Sequence, residues 1–200
     1  MQAIGSIPGA VDAETLEVMN RLEAAGSDVE LELLLHDIGK EQFVLIGELI
    51  QMYCMSDALC RGLIGMLREK RVGSPSDFAY KLNDADVLAH TKKEAGETSL
   101  SIDTAGIISA VETIETHRIF RHTFSHWIVK RYVGGRHLVA FTKSKPDGEK
   151  RDGIPLKDGK AKLMAFRIDD LMTELAKVKG HCKFLSDLHH YLEGAPATSA

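Results

Sequence analysis

Along most of the chain apolar residues recur every three or four positions, the spacing of amphipathic helices, and they bunch into short runs in only one region. "DAETLEVMNRLEAA" predicts a short helix with Asp12 as its N-cap, and "DVELELLLHD" predicts a second. Residues 41–70 predict one long helix, with Ile46, Leu49, Ile50, Tyr53, Cys60, Ile64 and Leu67 on a single stripe. "VGSPSD" ends it, a shorter helix follows over roughly 76–90, and "KKEAGETS" reads as a polar loop. A second long helix is expected from Asp103 or Thr104 to Tyr132, stopped by "VGG". "RHLVAFTKS" and "AKLMAFRI" predict two strands around the polar linker "KPDGEKRDGIPLKDGK". A last helix over 168–193 carries Leu171, Leu175, Val178, Cys182, Leu185 and Leu192 at heptad-like spacing. The expected fold is mainly α: an antiparallel helical bundle with a small β-hairpin insertion, 136–167, before the last helix. Residues 1–38 would be an N-terminal helical extension, 39–193 the main domain, and 194–200, "GAPATSA", a disordered tail.

Composition is that of an ordinary globular chain, and charge changes the picture only through its distribution. Residues 117–151 hold nine Lys/Arg against two Asp/Glu, a local +7, so with a total of −4 the remainder carries −11. A basic island on an acidic chain suits an anionic ligand such as RNA or a nucleotide, although part of it (Lys143, Lys145, Lys150, Arg151) lies in a turn-like stretch that a solvated loop would also explain. Cys54, Cys60 and Cys182 lack metal spacing and read as buried, reduced thiols of a cytoplasmic protein. No signal peptide and no apolar run long enough to span a bilayer is expected.

The candidate chemistry sits in "ETHRIFRHTFSHW", residues 115–127. On a helical wheel the apolar line Ile107, Val111, Ile114 continues as Arg118, Arg121, His122 and Ser125, with His126 at its edge, while Phe120, Phe124, Trp127 and Ile128 take over the packing face. Arginines on a buried line need partners, because an unpaired buried charge costs several kcal/mol. Asp57, inside the stripe of the earlier long helix, is the expected partner of Arg118 or Arg121, either as part of a site or as an ion pair that fixes helix register.

"RHTFSH" at 121–126 resembles the R-x-x-x-x-H signature of the HEPN superfamily, helical domains common in prokaryotic toxins and defence proteins. "IGELIQMYCMSDAL" resembles that family's first long helix, where an aromatic is followed four residues later by an acid, here Tyr53 and Asp57. The resemblance covers roughly residues 40–193. His122 stands where the family more often has Asn, and Ile128 stands where the Tyr-bearing toxin subtype has its Tyr. Active members cut RNA without a metal or other cofactor, usually as dimers. The resemblance therefore implies a metal-independent endoribonuclease, possibly paired with an antitoxin protein, in which Arg121 holds phosphate and His126 moves protons. Asp57 would orient Arg121 or His126, His122 and Arg118 would support them, and Arg118, His117, Lys130 and Arg131 would bind RNA. Other HEPN-like domains are non-catalytic dimerisation or binding modules, which is the alternative the resemblance leaves open.

Two metal readings compete. "LLHDIGK" at 34–40 resembles the His-Asp core of HD-type metal phosphohydrolases, but no His precedes His36 and none follows before His90; a polar helix end capped at Gly39 explains it as well. His122 and His126, four apart, could chelate zinc, yet no Glu follows His122 and no further ligand pair is spaced to complete a site. His189 and His190 are expected to complement the dipole of the last helix.

Overall fold

A computed structural model describes residues 2–3, 12–73, 77–152 and 161–194. The described chain is mainly helical with a small, largely antiparallel sheet. In order the elements are β1 (Gln2–Ala3), α1 (Ala13–Ala24), α2 (Asp28–Leu34), β2 (Leu35–His36), α3 (Lys40–Val72), a 3-10 turn (Phe78–Lys81), α4 (Asp84–Glu97) and α5 (Thr104–His126). They continue with β3 (Ile128–Tyr132), β4 (His137–Thr142), α6 (Lys145–Asp152), β5 (Lys162–Arg167) and α7 (Ile168–Gly194). They form two compact units, one from 1–50 and 119–174, the other from 51–118 and 175–200, so α3, α5 and α7 each contribute to both.

The first unit holds the sheet, in the order β1-β5-β4-β3-β2. The expected hairpin is present, with β4 and β5 antiparallel from His137↔Arg167 to Thr142↔Lys162. Three further strands join it: β3 and β2 antiparallel on one side, and β1 parallel to β5 on the other. Leu163 and Ala165 pack with Val18, Met19 and Leu22 of α1 and Leu31 of α2. Their neighbour Phe166 meets Phe120 and Phe124 of α5, with ring centroids 5.6 and 5.2 Å away. Both faces are therefore covered, which is why "LVAF" and "LMAF" are continuous apolar runs without alternation. Asp12 caps α1 as expected, accepting from Thr15 N at 2.8 Å. The Thr15 hydroxyl also donates to Asp12 (3.1 Å) and meets His137 Nε2 at 3.0 Å in the buried layer between α1 and β4.

The second unit is helical. Cys60, Leu63, Ile64 and Leu67 of α3 pack with Ile107, Val111 and Ile114 of α5 and with Leu185, Leu188 and Leu192 of α7. Two polar clamps surround this core. Arg61 joins Asp57, the carbonyls of Ala79 and Leu82, and Asp84, each at 2.8 or 2.9 Å, and so ties the 3-10 turn to α3. Glu94 of α4, buried, receives Arg68 at 2.9 Å and Arg71 at 2.7 Å.

Several expectations are corrected. The second long helix ends at His126, and 128–132 is a strand: after Trp127 the β-branched pair Ile128-Val129 favours the extended form, while the basic residues beyond had prolonged the helical pattern. The helix expected over 76–90 is the 3-10 turn plus α4, which continues to Glu97 through most of the stretch read as a loop. Part of the linker is helical, as α6, and residues 153–160 and the tail 195–200 lie outside the described residues. Cys54 is exposed; only Cys60 and Cys182 are buried. An 18-residue window of α3 (mean hydropathy 1.4) is long and apolar enough to cross a bilayer, contrary to the expectation that no such run exists; a third of it is buried inside the molecule.

Candidate functional site

The second half of α5 carries the motif. Phe120 and Phe124 anchor it to the sheet, so the opposite side of the helix presents Arg121, His122, Ser125 and His126. Ser125 and His126 are exposed, and Arg118, Arg121 and His122 are half-buried. The rings of His122 and His126 touch, centroids 4.7 Å apart and planes tilted by 36°, as one helical turn allows. His126 is the last residue of the helix, and Trp127 N–H still closes a helical bond to Thr123 O at 2.9 Å before the chain extends into β3. The basic stripe is thus a partly open face of α5, not the buried continuation of the Ile107–Ile114 line. Arg121 and His126 point about 140° apart on an ideal helix, on either side of Ser125.

The other named residues divide. Asp57 lies in the helical unit, and the cation beside it is Arg61, one turn onward at 2.8 Å, where Arg118 or Arg121 was expected. This local i, i+4 pair was legible in the sequence but is masked by the longer-range reading. Asp57 is also only part-buried, its side chain 28% exposed. The side chain of His117 lies outside the described residues. Lys130 and Arg131 stand on β3, not on a helix. Lys130 is paired with Asp37, whose carboxyl it holds below the ordinary carboxylate value. Arg131 faces His36 across the ladder and is half-buried, with its Nε buried and without a hydrogen-bond partner among the described residues.

The basic island is more neutral than its sequence count. Besides Lys130, Lys143 is paired with Asp28 at 2.8 Å, and Arg136 lies 3.3 Å from Glu14 and 3.9 Å from Asp169. Acids of α1, α2 and α7 balance those cations.

No group of three or more His, Cys, Asp or Glu that could hold a metal occurs among the described residues. His36 and Asp37 are exposed, in and just after β2 rather than at a helix end, and the His122–His126 pair has no third ligand among the described residues. His189 does not act at the helix terminus: its Nε2 donates to Leu59 O at 2.7 Å, and its ring lies against Gly62 of α3. His190 lies 3.4 Å from Glu193.

A feature not found from sequence lies beside the motif. Phe43 and Ile46 of α3 and Phe124, Trp127, Ile128 and Val129 line a groove of about 530 Å³. Phe43 and Ile128 are 63% and 57% exposed, while Trp127 is buried and its indole N–H has no hydrogen-bond partner among the described residues. The available signal was Phe43-Val44, an apolar pair off the helical stripe of residues 41–70.

No family model, curated protein or solved structure matches the chain.

Proposed function

We propose that the protein is a metal-independent endoribonuclease of the HEPN type, acting as a homodimer on RNA through the α5 face. The observation that carries this reading is the pair of touching imidazoles, His122 and His126, at the end of α5, with Arg121 on the adjoining flank of the same helix. RNA cleavage through its own 2′-OH needs little more than such a set. The 2′-oxygen attacks phosphorus as its proton passes to a base. The P–O5′ bond breaks, and the departing 5′-oxygen takes a proton from an acid, leaving a 2′,3′-cyclic phosphate and a 5′-hydroxyl. Imidazole serves either step near neutral pH. A guanidinium stays cationic and grips two phosphate oxygens as charge develops. His126 is the proton carrier in this scheme, Arg121 the phosphate ligand and His122 the support of His126. Arg118, His117, Lys130 and Arg131 would extend contact along the RNA, with the last two contributing less than their charge suggests. An antitoxin partner and a toxin or defence role belong to the same reading. Asp57 is withdrawn from the catalytic set because its carboxylate serves Arg61.

A second reading, a non-catalytic dimerisation or RNA-binding module, is favoured by the divergence of Arg121 and His126 around the helix. The two separate in one assay. Purified protein is incubated with mixed RNA, and separately DNA, in excess chelator, beside His126→Ala and Arg121→Lys. The expected outcome is RNA cleavage by the wild type alone, with cyclic phosphate ends and DNA intact. Arg121→Lys fails because an ammonium cannot reproduce the bidentate grip. Loss of cleavage on chelation would return the metal readings, and RNA binding without cleavage would select the binding module.

A further inference from the structure

The groove beside Trp127 is where the sheet has been left incomplete. Leu35 faces Tyr132, and Val133 N–H donates to Leu34 O at 3.0 Å, so Arg131 and His36 form the hydrogen-bonded pair of the β2–β3 ladder. The N–H and C=O of Arg131 therefore point away from β4. In a strand this direction reverses at each residue, so Val129, two positions earlier, points its own N–H and C=O the same way. β2 ends at His36, and the chain then leaves through Asp37 and Ile38 toward α3. Among the described residues no strand lies beside Val129 on that side. The groove opens at this place: Val129 lines it together with Ile38, where the chain leaves the ladder, and with Phe43 and Ile46 of α3.

The geometry points to this groove as a docking site for an extended, uncharged peptide segment of a partner protein, added to the sheet as a strand beside Val129. The backbone supplies the first reason. A donor and an acceptor on one residue, aimed into a slot bounded by a strand, are what β-strand addition uses. Residues 128–130 offer about 10 Å of edge, enough for three residues of such a strand. The side-chain chemistry supplies the second. Alternate residues of an added strand would lie against the apolar lining of Phe43, Phe124, Trp127 and Ile128. The charge at the rim supplies the third. Asp37 and Lys130 are one acid and one base, already paired, and present no net field to a polyanion. That balance favours a neutral peptide over RNA here, in contrast to the exposed face of α5. The site uses neither Arg121 nor His126, and shares with the nuclease reading only Lys130, a peripheral RNA contact there.

The test uses the full chain. A displayed library of linear peptides is panned on wild-type protein after counter-selection on Phe43→Ser, a change at an exposed residue. Enriched peptides should have uncharged centres with alternating apolar residues. A synthetic copy should alter the emission of Trp127, the chain's only tryptophan, and slow hydrogen exchange at the Val129 amide. Val129→Pro removes a donor that points away from β4, and so should keep the β3–β4 ladder. It should weaken binding by roughly tenfold, as should N-methylation of the peptide amide that meets Val129. If Val129→Pro does not fold, the N-methyl peptide and Phe43→Ser carry the same decision. The proposal is overturned if no peptide is enriched over the counter-selection. It is overturned equally if the binders leave Val129 exchange unchanged, or if a single-stranded RNA oligomer, and no peptide, protects Val129.

Discussion

His137, in the first unit, is a residue whose ionisation is tied to its surroundings. It is buried at the start of β4, with Nε2 3.0 Å from the Thr15 hydroxyl, which itself donates to Asp12. Thr15 has spent its proton on the carboxylate, so it accepts from His137 Nε2–H, and the neutral tautomer is set. Burial pushes the His137 pKa below 6.5, outweighing the upward pull of Glu14 and Asp12 and aided by Arg167 and Arg136. Asp12 is held below its ordinary value chiefly by the Thr15 backbone N–H. The unfolded chain therefore binds a proton at this histidine more readily than the folded one does. The resulting stability is complete above pH 6.5 and is lost as pH falls from there through the folded value. The Asp12 contribution is lost separately, at the lower pH where that carboxylate protonates. An NMR titration should place the His137 ring midpoint below 6.5, and a midpoint at or above that value would sink the assignment. None of this was legible in the sequence, where His137 is one histidine in a strand and Asp12 only a cap. The Asp12 cap was legible, because the signal lies within three residues.

At the scale of elements, α7 lays the ring of His189 against α3 at Gly62. A Cβ there would meet His189 Cε1 at 2.3 Å, and His189 is held in place by its bond to Leu59 O. Gly62→Ala should therefore destabilise the helical unit even though alanine is the better helix former by about 1 kcal/mol. The ring must move and give up its carbonyl, a net loss of roughly 1–3 kcal/mol against that gain. Guanidinium unfolding of Gly62→Ala beside Gly62→Ala/His189→Ala measures it: the second substitution should recover part of the loss, and a single variant as stable as wild type would show the approach to be looser. The long helices were legible because their apolar stripes repeat over many turns, as with Leu49, Leu63 and Leu67. β2 was not, since two residues cannot establish a period inside an apolar run. Nor was the switch at Trp127, because both sides of it are apolar and basic; what ends α5 is the pairing of Ile128–Arg131 with β4, a contact between residues separated by a turn.

For the molecule as a whole, its thiols report on the integrity of the helical unit. Cys54, Cys60 and Cys182 are all free, but burial pushes Cys60 up to about 12 and Cys182 up to about 11, while Cys54 stands exposed on α3. Only thiolate reacts. A thiol reagent at pH 8 should modify Cys54 promptly in native protein and all three in denaturant, and prompt native labelling at Cys60 or Cys182 would contradict the packing. The mainly α architecture and the hairpin were open to sequence reading. The division into two units was not, because the wheel of α5 shows one continuous line whose environment changes near Arg118 without any break in the helix. The motif face was legible in composition but not in exposure: the wheel could not say that Phe120 and Phe124 would be claimed by the sheet and leave His126 exposed and His122 half-buried.

The passage of α3, α5 and α7 through both units also bears on the order in which the chain can mature as it leaves a ribosome. The first unit draws on residues up to 50 and then on 119–174; the second draws on 51–118 and then on residues from 175 onward. Neither is a contiguous stretch. When residue 118 has emerged, the first unit still lacks β3, β4 and β5, and the helical unit still lacks α7. Loop closure must therefore wait on late segments in both, and the stretch 41–70 spends that interval without the part of its cover that Leu185, Leu188 and Leu192 of α7 supply. A nascent chain halted there presents the kind of surface that holding chaperones recognise, and a polypeptide shortened anywhere before α7 is left with both halves of its architecture unfinished.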